Sequence, residues 1–382
     1  MKGQSGSLGF VSETAREATG TRDEGLDRQE KQPADEEVTE VAPGILRLQL
    51  PVMMPGLGHV NCYAIEDERG FAVVDPGLPG PDSHKILRRR LVQAGASVAN
   101  IHTVLVTHSH PDHFGGAGRL KLEFGTEVVA HEAFRTIFDP AEKDESPEAI
   151  TDSSSWRDLV MGEGDELPDL PRRQTPWGVI EFGPGPEELL RFRGWDELSK
   201  RGFLTPRPTK RLEDAETIRL GRRDWLAVHT PGHTADHLCL FDPEGGVLLA
   251  GDHVLPTITP HISGIALSDD PLAQFFTALD KVAALPDVRH VLPAHGHPFT
   301  DLSGRVEDIH RHHEERLEKL VEISQQIGEA DVVELSHHLF KPRSWGPMAE
   351  SETYAHLEHL RLCGRARSRK DEEGRLLFTI DH

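Results

Sequence analysis

The stretch THSHPDHFGG, residues 107–116, directly follows the apolar run IHTVLV at residues 101–106. It carries four side chains that can bind a metal within six residues: His108, His110, Asp112 and His113. Neutral imidazole and carboxylate groups suit zinc, or iron and manganese in similar geometry. The His-x-His pair can turn two imidazoles into one space, while the aspartate and third histidine face a second centre. The pattern predicts a metal site at a strand end, with Pro111 and Gly115–Gly116 setting a tight turn.

Three further side chains of the ligand type follow apolar strand patterns later in the chain. They are His233 in HTPGHTADH, Asp252 in LLAGDHV and His295 in VLPAHGHP. One histidine after a strand is usually structural or solvated. Three such residues at strand-to-loop junctions, in this order after HxHxDH, favour a larger metal centre. Strands that alternate with helices indicate an α/β fold, in which polar loops at the carboxyl ends of strands commonly form the active site.

These motifs resemble the metallo-β-lactamase superfamily over about residues 41–300. With Asp75 in VVDPG, all five motifs of that family occur in order. The resemblance implies an αββα sandwich with two metal ions at one edge of its sheets. It assigns His108, His110 and His233 to one ion and Asp112, His113 and His295 to the other. Asp252 would bridge the ions, and Asp75 would orient ligating groups without binding a metal.

Details of the motifs favour particular branches of this superfamily. The lactamases themselves lack the bridging Asp252. The blocks GHVNCYAIED, TPGHTADH and GDHVLP look most like the glyoxalase II-like hydrolases. The C-terminal part resembles the small winged-helix domain of the β-lactamase-like protein 2 branch. The resemblance implies two divalent ions, Zn²⁺ in the first place, with iron or manganese left open.

The composition along the chain predicts three regions. Residues 1–40 show little apolar periodicity and are interpreted as a disordered acidic tail. Residues 41–300 would be the catalytic domain. Within it, residues 135–205 lose the strand pattern and predict a helical lid insertion, in which tryptophans 156, 177 and 195 are interpreted as core anchors. Residues 301–382 predict a helical, winged-helix-like domain. This domain could mediate formation of a homodimer.

Charge and cysteine usage limit the partners and the location. The net charge is −22, and such an acidic chain should repel a nucleic acid. The sequence contains no run of about 18 apolar residues, so no membrane span is expected. The N-terminus lacks a signal-peptide pattern. Cys62 and Cys239 lie in strand-like contexts and are interpreted as reduced, buried thiols of a cytoplasmic protein.

Function follows as a hypothesis: a hydroxide shared by two metal ions cleaves a thioester, lactone or related ester, with Asp112 and Asp252 as the catalytic carboxylates. His59 and His261 are candidate contacts to a small-molecule acyl substrate. An endoribonuclease or phosphodiesterase, to which the basic segment 361–370 would contribute, remains an alternative. So do a mononuclear iron persulfide-type dioxygenase and a non-catalytic binding protein. Histidines 310, 312 and 313 are interpreted as a solvated helix face.

Overall fold

The computed structural model of the chain describes residues 28–54, 56–136, 173–178, 180–181, 198, 206–265 and 268–381. Most of the expected lid insertion at 135–205 therefore lies outside the described residues, as do Trp156, Trp195 and the first 27 residues of the expected tail. None of the described helices is long and apolar enough to cross a membrane.

Seven strands form the larger sheet. Its strands are β1 Thr39–Ala42, β2 Ile45–Met54, β3 Leu57–Asp67, β4 Gly70–Val74, β5 Ile101–Leu105, β6 Glu127–His131 and β9 Lys210–Leu212. Between β6 and β9 in the chain lie the short strands β7 Arg173–Gln174 and β8 Ile180–Glu181. The order in the sheet is β1-β2-β3-β4-β5-β6-β9, and β7 and β8 form a separate short pair. The strands β1 to β4 pair antiparallel, and β4, β5, β6 and β9 pair parallel. The parallel strands β4, β5 and β6 are mostly buried because both faces of the sheet are covered, whereas β9 at the sheet edge is largely polar.

Five strands form the second sheet. Their bounds are β10 Thr217–Leu220, β11 Arg223–His229, β12 Leu238–Asp242, β13 Val247–Gly251 and β14 His290–Pro293, and they lie side by side in this order. β12 and β13 form the hairpin expected around the DPEGG turn, and β14 pairs parallel with β13. A helix crosses over between these two parallel strands, as parallel pairing requires.

Helices cover the outer face of each sheet. They are α1 Pro81–Gln93, α2 Pro111–Phe114, α3 Ala117–Phe124 and α4 Pro271–Ala283. Leu87 of α1 and Leu120 of α3 pack on the larger sheet, and Phe275 of α4 packs on the second. Between the sheets, Tyr63 and Trp225 belong to one buried cluster contributed by both. The layers are therefore helix, sheet, sheet, helix, which confirms the αββα prediction.

The C-terminal region continues from the second sheet. Its elements are α5 Leu302–Ile327, β15 Ala330–Asp331, α6 Val332–Leu339, α7 Pro347–Leu362, β16 Ala366–Lys370 and β17 Leu376–Ile380, with the sheet order β15-β17-β16. Helix, strand, two helices and two strands is the connectivity of a winged helix, as the sequence predicted. Trp177 is buried against this region, where its indole donates a hydrogen bond to Glu350.

The prediction of a disordered tail is wrong for residues 28–40, which are ordered. Residues 29–31 form a short 3-10 helix whose Glu30 is fully buried. Its carboxylate accepts backbone hydrogen bonds from Thr257 at 2.8 Å and Ile258 at 3.1 Å. The sequence missed this segment because its hydrogen bonds go to a loop more than 220 residues away, and its own composition is polar.

Gly115 and Gly116 are required for close packing, not for a turn. Their φ angles are −59° and −81°, which any residue adopts. A Cβ at Gly115 would lie 2.2 Å from the backbone nitrogen of Pro79, and one at Gly116 would lie 2.6 Å from the Pro76 carbonyl oxygen. The predicted reason for the pair is therefore wrong: the glycines let the loop after β4 lie against α2.

The substitution Gly115→Ala is expected to lower the free energy of unfolding by about 2 kcal/mol or more, because backbone must move to admit the methyl group. Chemical denaturation would measure it. Gly125→Asn is the control, because Gly125 has a φ of 69° that asparagine tolerates and open space around it. A change within about 0.5 kcal/mol for Gly115→Ala would contradict the packing role.

The buried His84 of α1 makes stability depend on pH. Burial, and then the nearby Arg119, lower its pKa from 6.5 to about 4. The unfolded chain therefore binds a proton that the folded chain refuses, so stability is lost as the pH falls from 6.5 toward 4. His84→Gln should reduce that loss by on the order of 2 kcal/mol in metal-free protein. Denaturation at about pH 7 and about pH 4.5 would show it; the exposed His338→Gln is the control, and an unchanged pH profile for His84→Gln would contradict it.

Candidate metal centre

The seven residues expected to bind metal lie together at one edge of the two sheets. They come from the loop after β5 and the adjoining α2, and from the loops after β11, β13 and β14: His108, His110, Asp112, His113, His233, Asp252 and His295. Six are buried and His110 is partly exposed. The carboxyl ends of β5 in the larger sheet and of β11, β13 and β14 in the second sheet meet here, which is why residues far apart in sequence converge.

His108, His110 and His233 form the first ligand set. His110 Nδ1 lies 3.0 Å from His108 Nε2 and 3.2 Å from His233 Nε2. An oxygen of Asp252 lies 3.5 Å from His233 Nε2 and 3.8 Å from His108 Nε2. Ligands about 2.0–2.2 Å from a zinc ion are separated by about 3.2–3.6 Å, so these four atoms surround a space of the size of one ion.

Asp112, His113 and His295 form the second ligand set. Asp112 Oδ2 lies 3.5 Å from both His113 Nε2 and His295 Nε2. Asp252 reaches this set as well, with Oδ2 3.6 Å from His113 Nε2 and Oδ1 3.3 Å from His295 Nε2. The Asp252 carboxylate thus stands between the two sets.

Buried atoms without hydrogen-bond partners converge on this centre. They are Asp112 Oδ2, His113 Nε2, Asp252 Oδ1 and His295 Nε2. Burial would lower the pKa of His113, but the carboxylates of Asp112, Asp252 and Asp75 outweigh it and hold that pKa well above its usual value. Burial would raise the pKa of Asp252, but His295 and His113 hold it well below its usual range. Buried nitrogen and oxygen atoms that have no hydrogen-bond partner, two of them from carboxylates, are the atoms expected to coordinate a divalent cation.

Asp75 orients the second set from behind. Its Oδ2 accepts a hydrogen bond from His113 Nδ1 at 2.9 Å and from the Thr107 hydroxyl at 2.7 Å, and its Oδ1 accepts one from the Thr107 backbone at 2.9 Å. The proton on Nδ1 leaves Nε2 of His113 free as a ligand atom. Asp75 therefore has the contacts expected of a carboxylate that positions a ligand without binding the metal.

Two backbone carbonyls orient His233 and His295. His233 Nδ1 donates to the carbonyl of His261 at 2.8 Å, and His295 Nδ1 donates to the carbonyl of His59 at 2.6 Å. Both leave Nε2 directed at the ligand sets.

The expected substrate contact at His59 is wrong. The side chain is fully buried, its Nδ1 donates to the Gln32 carbonyl at 2.8 Å, and its Nε2 accepts from the Gly296 backbone at 3.0 Å. His261 is partly exposed, and its Nδ1 lies 3.4 Å from Glu352 Oε2. Of the two candidates, only His261 keeps access to a bound molecule.

Sequence reasoning missed His237, which supports Asp252. Its Nε2 accepts the backbone N–H of Asp252 at 2.9 Å, and its Nδ1 bonds the Thr230 hydroxyl at 2.7 Å. The last histidine of HTPGHTADH could have been found, because it follows His233 by four residues in the same block. Asp236 likewise holds Ser109, between the two first histidines of the HxHxDH motif, through a hydrogen bond of 3.0 Å.

The histidines of α5 correct another prediction. His313 is fully buried, with Nδ1 3.1 Å from His356 Nε2 on α7, so the face is not uniformly solvated. His313, His356 and Glu352 lie close enough to hold an ion. However, Arg316 donates to Glu352 at 2.8 Å, so a cation already neutralises that carboxylate.

Residues 55–297 match the sequence profile of the metallo-beta-lactamase superfamily. The chain belongs to the metallo-beta-lactamase superfamily. A metallo-beta-lactamase family protein from Thermus thermophilus has the same fold, with a TM-score of 0.68 and 28% identity; the match covers 89% of this chain and 100% of that one.

Relatives at modest identity agree with the predicted branches of the superfamily. The hydroxyacylglutathione hydrolase of Albidiferax ferrireducens is 27% identical over 254 residues, covering 66% of this chain and 68% of that protein. A beta-lactamase-like protein 2 homolog of Drosophila melanogaster is 29% identical over 153 residues, a match that covers 38% of this chain and 49% of the Drosophila protein. Superfamily membership and these relatives indicate a hydrolase with a metal-binding cluster of histidines and aspartates.

Proposed function

We propose that this metallo-beta-lactamase superfamily protein is a dinuclear metal-dependent hydrolase that cleaves a thioester, lactone or related ester. The observation that carries the proposal is the position of Asp252, whose two oxygens lie 3.3–3.8 Å from donor atoms of both ligand sets. A carboxylate so placed can serve two ions at once. The hydroxyacylglutathione hydrolase among the relatives supports a thioester as the first substrate class to test.

The first and second ligand sets would each hold one divalent ion, for which zinc is the first candidate. Such a pair would supply Lewis acidity and lower the pKa of a water bound there. Asp75 and the carbonyls of His59 and His261 keep three ligand histidines in the tautomer with Nε2 unprotonated. The chain thereby fixes the geometry in which the acyl carbonyl is attacked.

Asp112 is the residue that we assign to proton transfer. Burial would raise its pKa, but His113 and His295 lower it to about 2, so the carboxylate is ionised at neutral pH. Its Oδ2 faces the second ligand set, so its other oxygen, Oδ1, is the one that we assign to orienting the attacking water and accepting its proton. The proton then passes to the leaving thiolate or alkoxide. The hydroxyl of the water ends on the carboxylic acid and its proton on the thiol or alcohol.

Charge favours a small acyl substrate over a nucleic acid. The arginines of the basic segment 361–370 are largely paired: Arg361 with Glu358, Arg367 with Asp381 and Arg369 with Glu329. Ion pairs neutralise the positive field that phosphates would need, and the net charge of −22 adds repulsion.

Metal analysis followed by a substrate panel tests the proposal. The purified protein should contain about two divalent ions per chain and hydrolyse members of a thioester and lactone panel. An RNA panel at varied salt is the comparison. One iron per chain with oxygen uptake would replace the proposal with a persulfide-type dioxygenase, and RNA cleavage without ester hydrolysis would replace it with a nuclease.

A further inference from the structure

The loop 261–264 lies against helix α7 of the winged-helix-like region. The backbone N–H of Gly264 donates to the Ser351 hydroxyl at 3.0 Å, and the Ser263 and Ser351 hydroxyls lie 3.3 Å apart. A Cβ at Gly264 would lie 2.6 Å from the Ser351 carbonyl oxygen, so the two backbones touch. The position of the loop therefore depends on α7.

Glu352, the next residue of α7, holds the other end of this loop. One carboxylate oxygen accepts a hydrogen bond from Arg316 of α5 at 2.8 Å, and the other lies 3.4 Å from His261 Nδ1. Burial would raise the pKa of Glu352, but Arg316 and His261 hold it well below its usual range. An ionised carboxylate fixed by a guanidinium can anchor the imidazole of His261.

His261 connects this anchor to the first ligand set. Its side chain meets Glu352, and its carbonyl oxygen accepts the Nδ1 proton of His233 at 2.8 Å. The superfamily match ends at residue 297, so Arg316 and Glu352 both lie outside the matched domain.

We propose that the winged-helix-like region positions the metal centre: Glu352, held by Arg316, fixes His261 so that its carbonyl oxygen orients His233 toward the first metal. Glu352 is thus a positioning residue. This inference rests on the proposed metal centre and extends it, because it gives the C-terminal region a role at one ligand set and none at the other.

The test is the substitution Glu352→Gln in the full chain, read out by zinc affinity. Competition with a chromogenic chelator should show binding weakened by up to about tenfold at the first ligand set and unchanged at the second. The effect is below the larger cost of losing a direct partner of a metal ligand, because Glu352 acts through His261. Cobalt substitution should show an altered visible spectrum for one ion only. Ser351→Ala, which releases Gly264, is a milder second variant with a smaller effect in the same direction.

Glu358→Gln is the matched control, because Glu358 lies on the same helix and pairs with Arg361. It should leave both affinities unchanged. Equal zinc affinities in the wild type, Glu352→Gln and Ser351→Ala would overturn the inference while leaving the hydrolase proposal intact. A third zinc ion lost in both Glu352→Gln and His313→Gln would also overturn it, since Glu352 would then be a ligand. A wild-type chain without metal would overturn the proposed function first.

Discussion

Replacing Asp252 with alanine is expected to remove most of the hydrolytic activity, by on the order of 10³-fold or more. The carboxylate is within 3.8 Å of ligand atoms from both ligand sets. Its loss leaves three imidazoles at one site and an aspartate with two imidazoles at the other. Metal content should fall together with the rate of hydrolysis, and both can be measured on one preparation.

Asp242→Ala is the control for this change. Asp242 is also a buried aspartate of the second sheet, but it pairs with Arg223 and accepts backbone hydrogen bonds in the DPEGG turn. Its removal should lower stability and leave metal content unchanged. Unaltered hydrolysis with both metals retained in Asp252→Ala would contradict the dinuclear mechanism.

Asp75→Asn is expected to weaken metal binding at the second ligand set by about 10–100-fold. Asparagine keeps the shape of the side chain and tolerates the φ of 54° found at this position. Asparagine keeps a single accepting oxygen, so it cannot accept from the Thr107 backbone N–H on one side and from His113 Nδ1 and the Thr107 hydroxyl on the other. Any acceptor left for His113 is a neutral amide in place of a carboxylate, so the hydrogen bond that fixes its tautomer is weakened.

Zinc titration of the chelator-treated protein would measure the effect. Thr107→Val is the comparison, because it removes the hydroxyl bond to Asp75 and leaves the contact between Asp75 and His113. The same hydroxyl lies 3.1 Å from His108 Nδ1, so this variant should affect the second ligand set less than Asp75→Asn does and the first set more. A wild-type zinc affinity at the second ligand set of Asp75→Asn would show that the carboxylate does not position His113.

The cluster of candidate ligands could be predicted from sequence because its members lie within a few residues of the ends of apolar strands or on the short helix that follows β5. The HxHxDH motif follows β5, and Asp252 follows β13, so their location needed only strand ends and the chemistry of the side chains. The αββα order is implied by the resemblance of these motifs to the metallo-β-lactamase superfamily, whereas the strand and helix patterns by themselves indicate only an α/β fold.

The supporting contacts could not be predicted, because they join residues that no local pattern relates. Glu30 bonds Thr257, and Glu352 approaches His261, across more than 90 residues in each case. The sequence places His59 near the site but does not show that its backbone carbonyl, and not its side chain, contributes. A Gly-Gly pair predicts a turn from local conformation, whereas the approach of Pro79 to Gly115 can be seen only in three dimensions.

The ligand sets draw on both sheets of the sandwich. His108 follows a strand of the larger sheet, and His233, Asp252 and His295 follow strands of the second. A bound ion would act as a removable cross-link between the two halves, since its release frees the sheets to separate at this edge. The lifetime of the folded protein would then be set by the rate of metal release, and chelation would shorten it even where the equilibrium still favours the native state.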